Sequence, residues 1–319
     1  MPGTGPGRSR RSSTIGRVSL PERAEIFPLP ERRGRARAVL VSLRPRQWTK
    51  NLLLFAGIIF AAKLGDAARW AEAVAAFAAY CAASSASYLV NDVRDAPHDR
   101  VHPVKRARPI ARSEVSPRLA QTLAALLVVA AFLFVVPLGL ASVLFLCAFF
   151  GLQAAYTLAL KHVVLLDVMT IGGLFVVRAA AGAAGVGVRI SPWLLLCTAL
   201  LALFLALAKR RGELVLVGAE ATPGRPVLEG YSLALVDQLV TVVAASTVIS
   251  YCLYTFTARG SKAMMITIPF VVFGVFRYLL LMHRRDLGEE PEEVLLRDAP
   301  ILLCIAGWAV CAAVILAVT

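Results

Sequence analysis

From about residue 50 to the C-terminus the chain is written in long apolar runs separated by short polar stretches. The runs are 51–65, 70–90, 119–137, 139–158, 163–186, 191–208, 236–256, 264–282 and 299–318. A hydrocarbon core of about 30 Å needs roughly 20 apolar residues per helix, so these nine runs predict nine membrane spans. Several are parted by only a few polar residues, which predicts helical hairpins. A β-barrel would show segments of about ten residues with alternating polarity, and the chain has none. The pattern predicts an all-α, polytopic membrane bundle of about nine transmembrane helices, one domain over residues 39–319. Composition agrees: 58% of the 319 residues are hydrophobic, against about 45–50% in a soluble protein.

Charge orients the bundle. There are 34 Lys and Arg against 20 Asp and Glu. The bases concentrate in the N-terminal arm and in segments 91–118, 209–235 and 283–298. The opposite loops carry only Lys63, Arg69, Arg189, Arg259 and Lys262. The positive-inside rule then predicts a multi-pass protein of the plasma (inner) membrane, with its N-terminus in the cytoplasm and its C-terminus outside. Basic cytoplasmic loops are normal for such a protein, so no nucleic acid is called for. Anionic lipid headgroups and phosphorylated substrates are the expected partners. The sequence leaves the oligomeric state open, a homo-oligomer included.

Residues 1–38 read as a separate basic arm, rich in Arg, Pro, Gly and Ser and unable to bury a core, hence a disordered cytoplasmic tail. No apolar stretch follows its charges, as a secretory signal or the export signal suggested by Arg10-Arg11 would require. The six cysteines all fall in apolar runs without ligand or redox spacing, and read as small buried hydrophobes. The four histidines form no HExxH pattern, so zinc is not expected.

The chemistry lies in four polar islands at one predicted face. At the end of the second span, Asn91, Asp95 and Asp99 recur every four residues, with Asp92 beside the first. Such positions share a helix face, and carboxylates gathered there need a cation. Mg²⁺ suits them, since it takes oxygen ligands and bridges carboxylates to substrate phosphates. Lys105, Arg106 and Arg108 follow at once, as a metal–diphosphate site would want. Pro97 lacks an N–H and predicts a new turn before Asp99. The second island is Tyr156, Lys161, Asp167 and Arg178. Asp167 and Arg178 stand in apolar sequence, which implies a polar cavity or a helix–helix ion pair. The third is Lys209, Arg210, Arg211 and Glu213, and the fourth runs from Arg44 to Asn51 and includes Trp48 and Lys50. These last two can equally be read as topology and interface anchors.

The Asn91-Asp92-x-x-Asp95-x-x-x-Asp99 box, set at the end of span two, resembles the UbiA superfamily of intramembrane prenyltransferases. Those enzymes use two acidic boxes to bind Mg²⁺ and a polyprenyl diphosphate. Here one aspartate, Asp167, follows Tyr156 and Lys161, with no DxxxD. That spacing is similar to the decaprenyl-phosphate phosphoribosyltransferase branch. So are Arg44-Pro-Arg-Gln-Trp-x-Lys-Asn51, His102-Pro-x-Lys-Arg-x-Arg-Pro-Ile110, Lys209-Arg210-x-x-Glu213, Glu229-x-Tyr231 and Glu290-Pro-Glu-Glu-x-x-x-Arg-Asp298. The resemblance covers about residues 41–300. It implies a UbiA-like bundle and transfer of 5-phosphoribosyl from phosphoribosyl diphosphate (PRPP) to a polyprenyl (decaprenyl) phosphate, serving cell-wall arabinan precursor synthesis.

On that reading Asp92, Asp95 and Asp99 bind Mg²⁺ and diphosphate, with Asn91 in support. Asp92, Asp95 and Asp167 are the catalytic candidates. Lys50, Lys105, Arg108, Lys161, Arg178, Lys209 and Arg210 compensate phosphate charge. Asp167 and Glu213 are candidates for ribose or supporting roles, and Tyr156 for substrate binding. An acceptor that is already an anion needs no strong base, and no catalytic dyad is evident. Two other readings are open: prenyl transfer to an aromatic acceptor, and a non-catalytic transporter or lipid-binding protein.

Overall fold

A computed structural model describes residues 31–60, 65–101, 105–217, 226–257, 262–284, 294 and 297–318. Every regular element among them is helical. Seven helical segments are long and apolar enough to cross a membrane: Ala67–Asp99, Pro117–Leu138, Leu140–Leu158, Leu166–Gly185, Pro192–Val215, Leu233–Thr257 and Lys262–Arg284. In chain order the α-helices are α1 (Arg35–Leu43), α2 (Ala56–Phe60), α3 (Ala67–Asp99), α4 (Pro117–Val135), α5 (Leu140–Leu158), α6 (Leu166–Gly185), α7 (Pro192–Val217), α8 (Leu233–Thr257), α9 (Ile268–Arg284) and α10 (Ala299–Val318). The helix starts are built from the sequence. Asp66 caps α3 by accepting from the amides of Ala68 and Arg69. Ser116 caps α4 ahead of Pro117, a residue preorganised for the first helical position.

The first predicted span, 51–65, is not one α-helix. It opens as a 3₁₀ helix, Pro45–Phe55, and continues as the short α2. What the segment lacks in regularity it gains in closeness to α6. A methyl group at Gly182 would collide with the Leu54 backbone, and one at Gly57 would lie 2.7 Å from the Ala183 Cα. Small residues permit such backbone-to-backbone packing in membranes. The predicted arm also ends earlier than residue 38. Helix α1 starts at Arg35, and Ala38 is fully buried in a cluster with Leu89, Ile110 and Val115. Arg33 ties the chain to the α3–α4 loop, donating to the Ala107 carbonyl at 3.1 Å and to Glu114 at 3.2 Å. Residues 1–30 of the arm lie outside the described residues.

Large apolar side chains stay exposed along the spans, Leu126 and Leu133 on α4 and Leu303 on α10 among them. This is the surface of a multi-pass integral membrane protein, where lipid replaces water. Consecutive helices pack on each other, α3 on α4, α5 on α6, α6 on α7 and α7 on α8. Apart from Asn51 and Arg178, the polar islands lie on the last turns of α3, α5 and α7, on the first turn of α6 and on the segments that join the helices.

Candidate active site

Helix α3 carries the acid box on its last three turns and runs unbroken through Pro97 to Asp99. The turn predicted at Pro97 is therefore absent. Pro97 falls in the final turn and forgoes only the bond its amide would give to the Val93 carbonyl. Each carboxylate of the box meets a base from another segment. Asp92 accepts from Nη2 of Arg44 at 2.6 and 2.9 Å. Arg108 Nη1 lies 3.2 Å from Asp92 and 2.7 Å from Asp99, bridging the two. Lys161 Nζ reaches both oxygens of Asp95 at 3.3 and 3.4 Å, and Asn91 donates to the same group at 3.0 Å. Lys105 lies close enough to Asp99 to act on its charge. Burial grades the set: the Asp92 side chain is 3% exposed and that of Asp95 27%.

Arg44 holds its post by backbone geometry. It terminates α1 in the left-handed region, at φ 54°, which is uncommon for a non-glycine residue. Its guanidinium also lies 4.6 Å from the centre of the Tyr88 ring. The N-terminal island reads equally as an anchor or as part of the site, with Lys50 and not Arg44 as its candidate. No local signal joins it to Asp92, 48 residues away.

The second and third islands close on each other. Asp167, in the first turn of α6, is fully buried, and Arg210 on α7 is 1% exposed. Arg210 Nε donates to Asp167 Oδ2 at 2.6 Å, and its Nη1 pairs with Glu213. The other Asp167 oxygen accepts from the Tyr231 hydroxyl at 2.7 Å, and that hydroxyl accepts from the Leu165 amide at 2.8 Å. Leu165 stands at φ 68°, so the tyrosine pins a strained entry into α6. Burial, and then the hydrogen bond to Asp167, push the Tyr231 phenol above its ordinary range, so it stays a donor. Tyr231 is a second residue that the sequence reading left without a role, although Glu229-x-Tyr231 marked its place.

Other candidates take different positions. Tyr156 is half-buried near Arg210, and its side chain makes no hydrogen bond among the described residues. Lys50 lies on the first 3₁₀ helix, and Lys209 precedes Arg210 on α7. Arg178 is not with the acids. Its Nε donates to Asn51 at 2.8 Å and its Nη1 to the Leu174 carbonyl at 3.0 Å. Residues 102–104, 285–293 and 295–296, which carry parts of two motifs, lie outside the described residues.

Residues 52–297 match the UbiA prenyltransferase family. The chain belongs to that family. It is 33% identical to a decaprenyl-phosphate phosphoribosyltransferase of Mycolicibacterium smegmatis, over 85% of this chain and 89% of that protein. It is 31% identical to the protein of the same name from Corynebacterium glutamicum, over 86% of each. In structure it resembles a UbiA homologue from Archaeoglobus fulgidus bound to GPP and Mg²⁺, with a TM-score of 0.68 and 16% identity, covering 88% of this chain and all of that one.

A divalent metal fits the acid box of this UbiA-family chain. Asp92 and Asp99 already converge on one positive nitrogen of Arg108, and Asp95 is the accessible third carboxylate. Among the described residues no three acids are drawn together into a finished cage. Mg²⁺ needs none, since it is commonly held by one or two carboxylates, with phosphate oxygens and water completing its shell.

Proposed function

We propose that the chain transfers 5-phosphoribosyl from PRPP to a polyprenyl phosphate, releasing diphosphate, as the names of its relatives suggest. The observation that carries this is Asp167. Both its oxygens are spent on Arg210 and Tyr231, so the second island is no second metal box for a prenyl diphosphate. It keeps a base in reserve instead: Lys161 holds Asp95 only through two long contacts. PRPP carries a 5-phosphate besides its diphosphate and needs such a base.

Asp92, Asp95 and Asp99 would hold Mg²⁺, which supplies charge neutralisation for the leaving diphosphate. Once these carboxylates held the metal, Arg44, Arg108 and Lys161 would be available to phosphate oxygens, by charge-assisted hydrogen bonds of the stronger kind. An anionic oxygen of the lipid phosphate forms the bond to the anomeric carbon. The bond to diphosphate breaks with its electron pair, and no proton has to move. Positioning and charge stabilisation then supply the catalysis. The acid site faces the cytoplasm beside a basic arm suited to anionic headgroups, with the C-terminus outside.

The test offers purified protein each donor in turn. Phosphoribosylated lipid should form from PRPP and polyprenyl phosphate, only with Mg²⁺. Prenyl transfer to 4-hydroxybenzoate instead would overturn the reading. Reporter fusions after residues 112 and 215 should read as cytoplasmic, and one after 319 as external.

A further inference from the structure

Arg178 is a buried cation that the acid site does not use. It is 5% exposed and sits twelve residues into α6. Its hydrogen-bond partners are an amide oxygen, Asn51 Oδ1, and a backbone carbonyl. Its guanidinium carbon lies 4.8 Å from the centre of the Phe149 ring and 5.4 Å from that of Phe175. The ionisable side chains beside it are the phenols of Tyr88 and Tyr80 and the thiol of Cys81, none of them a carboxylate. The buried Arg210 and Arg211 each face a carboxylate, Asp167 and Asp237. Arg178 faces none among the described residues. An uncompensated charge at that depth is costly, and such residues mark ligand sites.

A second observation points to the ligand. The hydroxyls of Tyr80 and Ser84 are buried and have no hydrogen-bond partner among the described residues. The two lie one turn apart on α3. The Tyr80 ring packs edge-on against Phe149, at 5.2 Å, the same ring that underlies Arg178. The Tyr80 ring and the Arg178 guanidinium thus share Phe149, and Ser84 lies one turn along α3 from Tyr80. Tyr80, Ser84, Tyr88 and Asp92 follow at steps of four, on one face leading to the acid box. Eight residues separate Ser84 from Asp92, about 12 Å along the helix. The Arg178 side chain folds back toward Leu174, in the direction of Asp167, which shortens its own distance to the acid end.

We propose that Arg178, with Tyr80 and Ser84, binds the phosphate of the lipid acceptor from within the membrane. The inference rests on the transfer reading above. The chemistry asked for is a phosphate monoester, which takes a guanidinium and hydroxyl donors together. The lipid is its source because Leu54, Leu146, Phe149 and Leu174 wall the region, while a soluble donor meets the acid end first. About 12 Å leaves room for diphosphate, anomeric carbon and incoming phosphate in line, the reacting atoms about 3–3.5 Å apart.

Purified protein in lipid nanodiscs tests this with two readouts. One is binding of polyprenyl phosphate against the matching polyprenol, read by tryptophan fluorescence. The other is the separate KM for lipid and for PRPP. Arg178→Gln should weaken lipid-phosphate binding about ten- to a hundred-fold and leave the PRPP KM within about twofold. Arg178→Lys should recover part of the loss, and Ser84→Ala and Tyr80→Phe should each cost a few-fold. Unchanged lipid-phosphate affinity in Arg178→Gln would overturn the proposal. So would a loss confined to the PRPP KM, which would assign the site to the donor's 5-phosphate. If Arg178→Gln does not fold, Ser84→Ala and Tyr80→Phe decide, and wild-type affinity in both overturns it. Wild-type protein that prefers polyprenyl phosphate to polyprenol, loses that preference in the variants and yet uses no PRPP would refute the reaction and leave the phosphate site standing.

Discussion

The α3 acid box and the Asp167 cluster use the same residue types at the same end of the bundle, and they are built to opposite ends. On α3 the carboxylates are neutralised by bases from the α1 junction, the α3–α4 loop and the α5–α6 turn, and Asp95 keeps 27% of its side chain exposed. We propose that these contacts, those of the accessible Asp95 first, are traded for metal and phosphate. Around Asp167 every oxygen is committed, and both Asp167 and Arg210 are sealed from solvent. A carboxylate with exchangeable partners serves chemistry. We propose that Asp167, held by Arg210 and Tyr231, keeps α6, α7 and the Tyr231 segment in register.

The sharpest way to break this contrast is to neutralise one acid in each place. Asp95→Asn should lower transfer at least about a hundred-fold, since metal charge neutralisation is lost, while thermal unfolding in detergent barely changes. Asp167→Asn should do the reverse, lowering the unfolding temperature first. Full stability with no turnover in Asp167→Asn would place it in the chemistry. Arg210→Ala leaves a buried carboxylate half-partnered and should destabilise by about 3–5 kcal/mol. Pairing Arg210→Met with Asp167→Leu should recover much of that, as chemical denaturation would show. Lys161→Ala should raise the PRPP KM about ten- to a hundred-fold, from lost charge-assisted hydrogen bonds. Its stability should stay within about 1 kcal/mol, because the pair it breaks is partly exposed. Tyr231→Phe should destabilise by about 1–3 kcal/mol, leaving the Leu165 amide and an Asp167 oxygen unsatisfied. Pro97→Ala should be the mildest, within a few-fold in turnover.

Much of this molecule can be read without coordinates, because a bilayer imposes length and polarity on each helix locally. The α3 box was legible for the same reason: Asn91, Asp95 and Asp99 lie within nine residues, and helical spacing gathers them. What neutralises them was not. Arg44 meets Asp92 across 48 residues, Tyr231 meets Asp167 across 64 and Arg178 meets Asn51 across 127, and no periodicity encodes such pairings. Arg178 illustrates the limit. An ion pair was one reading of its place in an apolar run, but its neighbours are an amide, a carbonyl and two rings. The irregular first span escaped for another reason. An apolar run shows that a segment is buried in lipid, and says nothing of whether its backbone winds as an α-helix or a 3₁₀ helix.

The seam between the first span and α6 bears on how the protein is made. Gly57 and Gly182 let the two backbones touch, and Asn51 meets Arg178 across 127 residues of chain. A ribosome adding about 5–20 residues per second takes on the order of ten seconds to deliver the second half of that seam. For that interval the first segment is in the bilayer with Asn51 lacking its guanidinium partner, and its backbone groove open. The earliest span can meet α3 at once, through Asn51 and Cys81 and through Trp48 and Ser85, but its packing is complete only when α6 arrives. Any substitution that fills the groove, at Gly57 or Gly182, should act on assembly during translation before it acts on the finished enzyme.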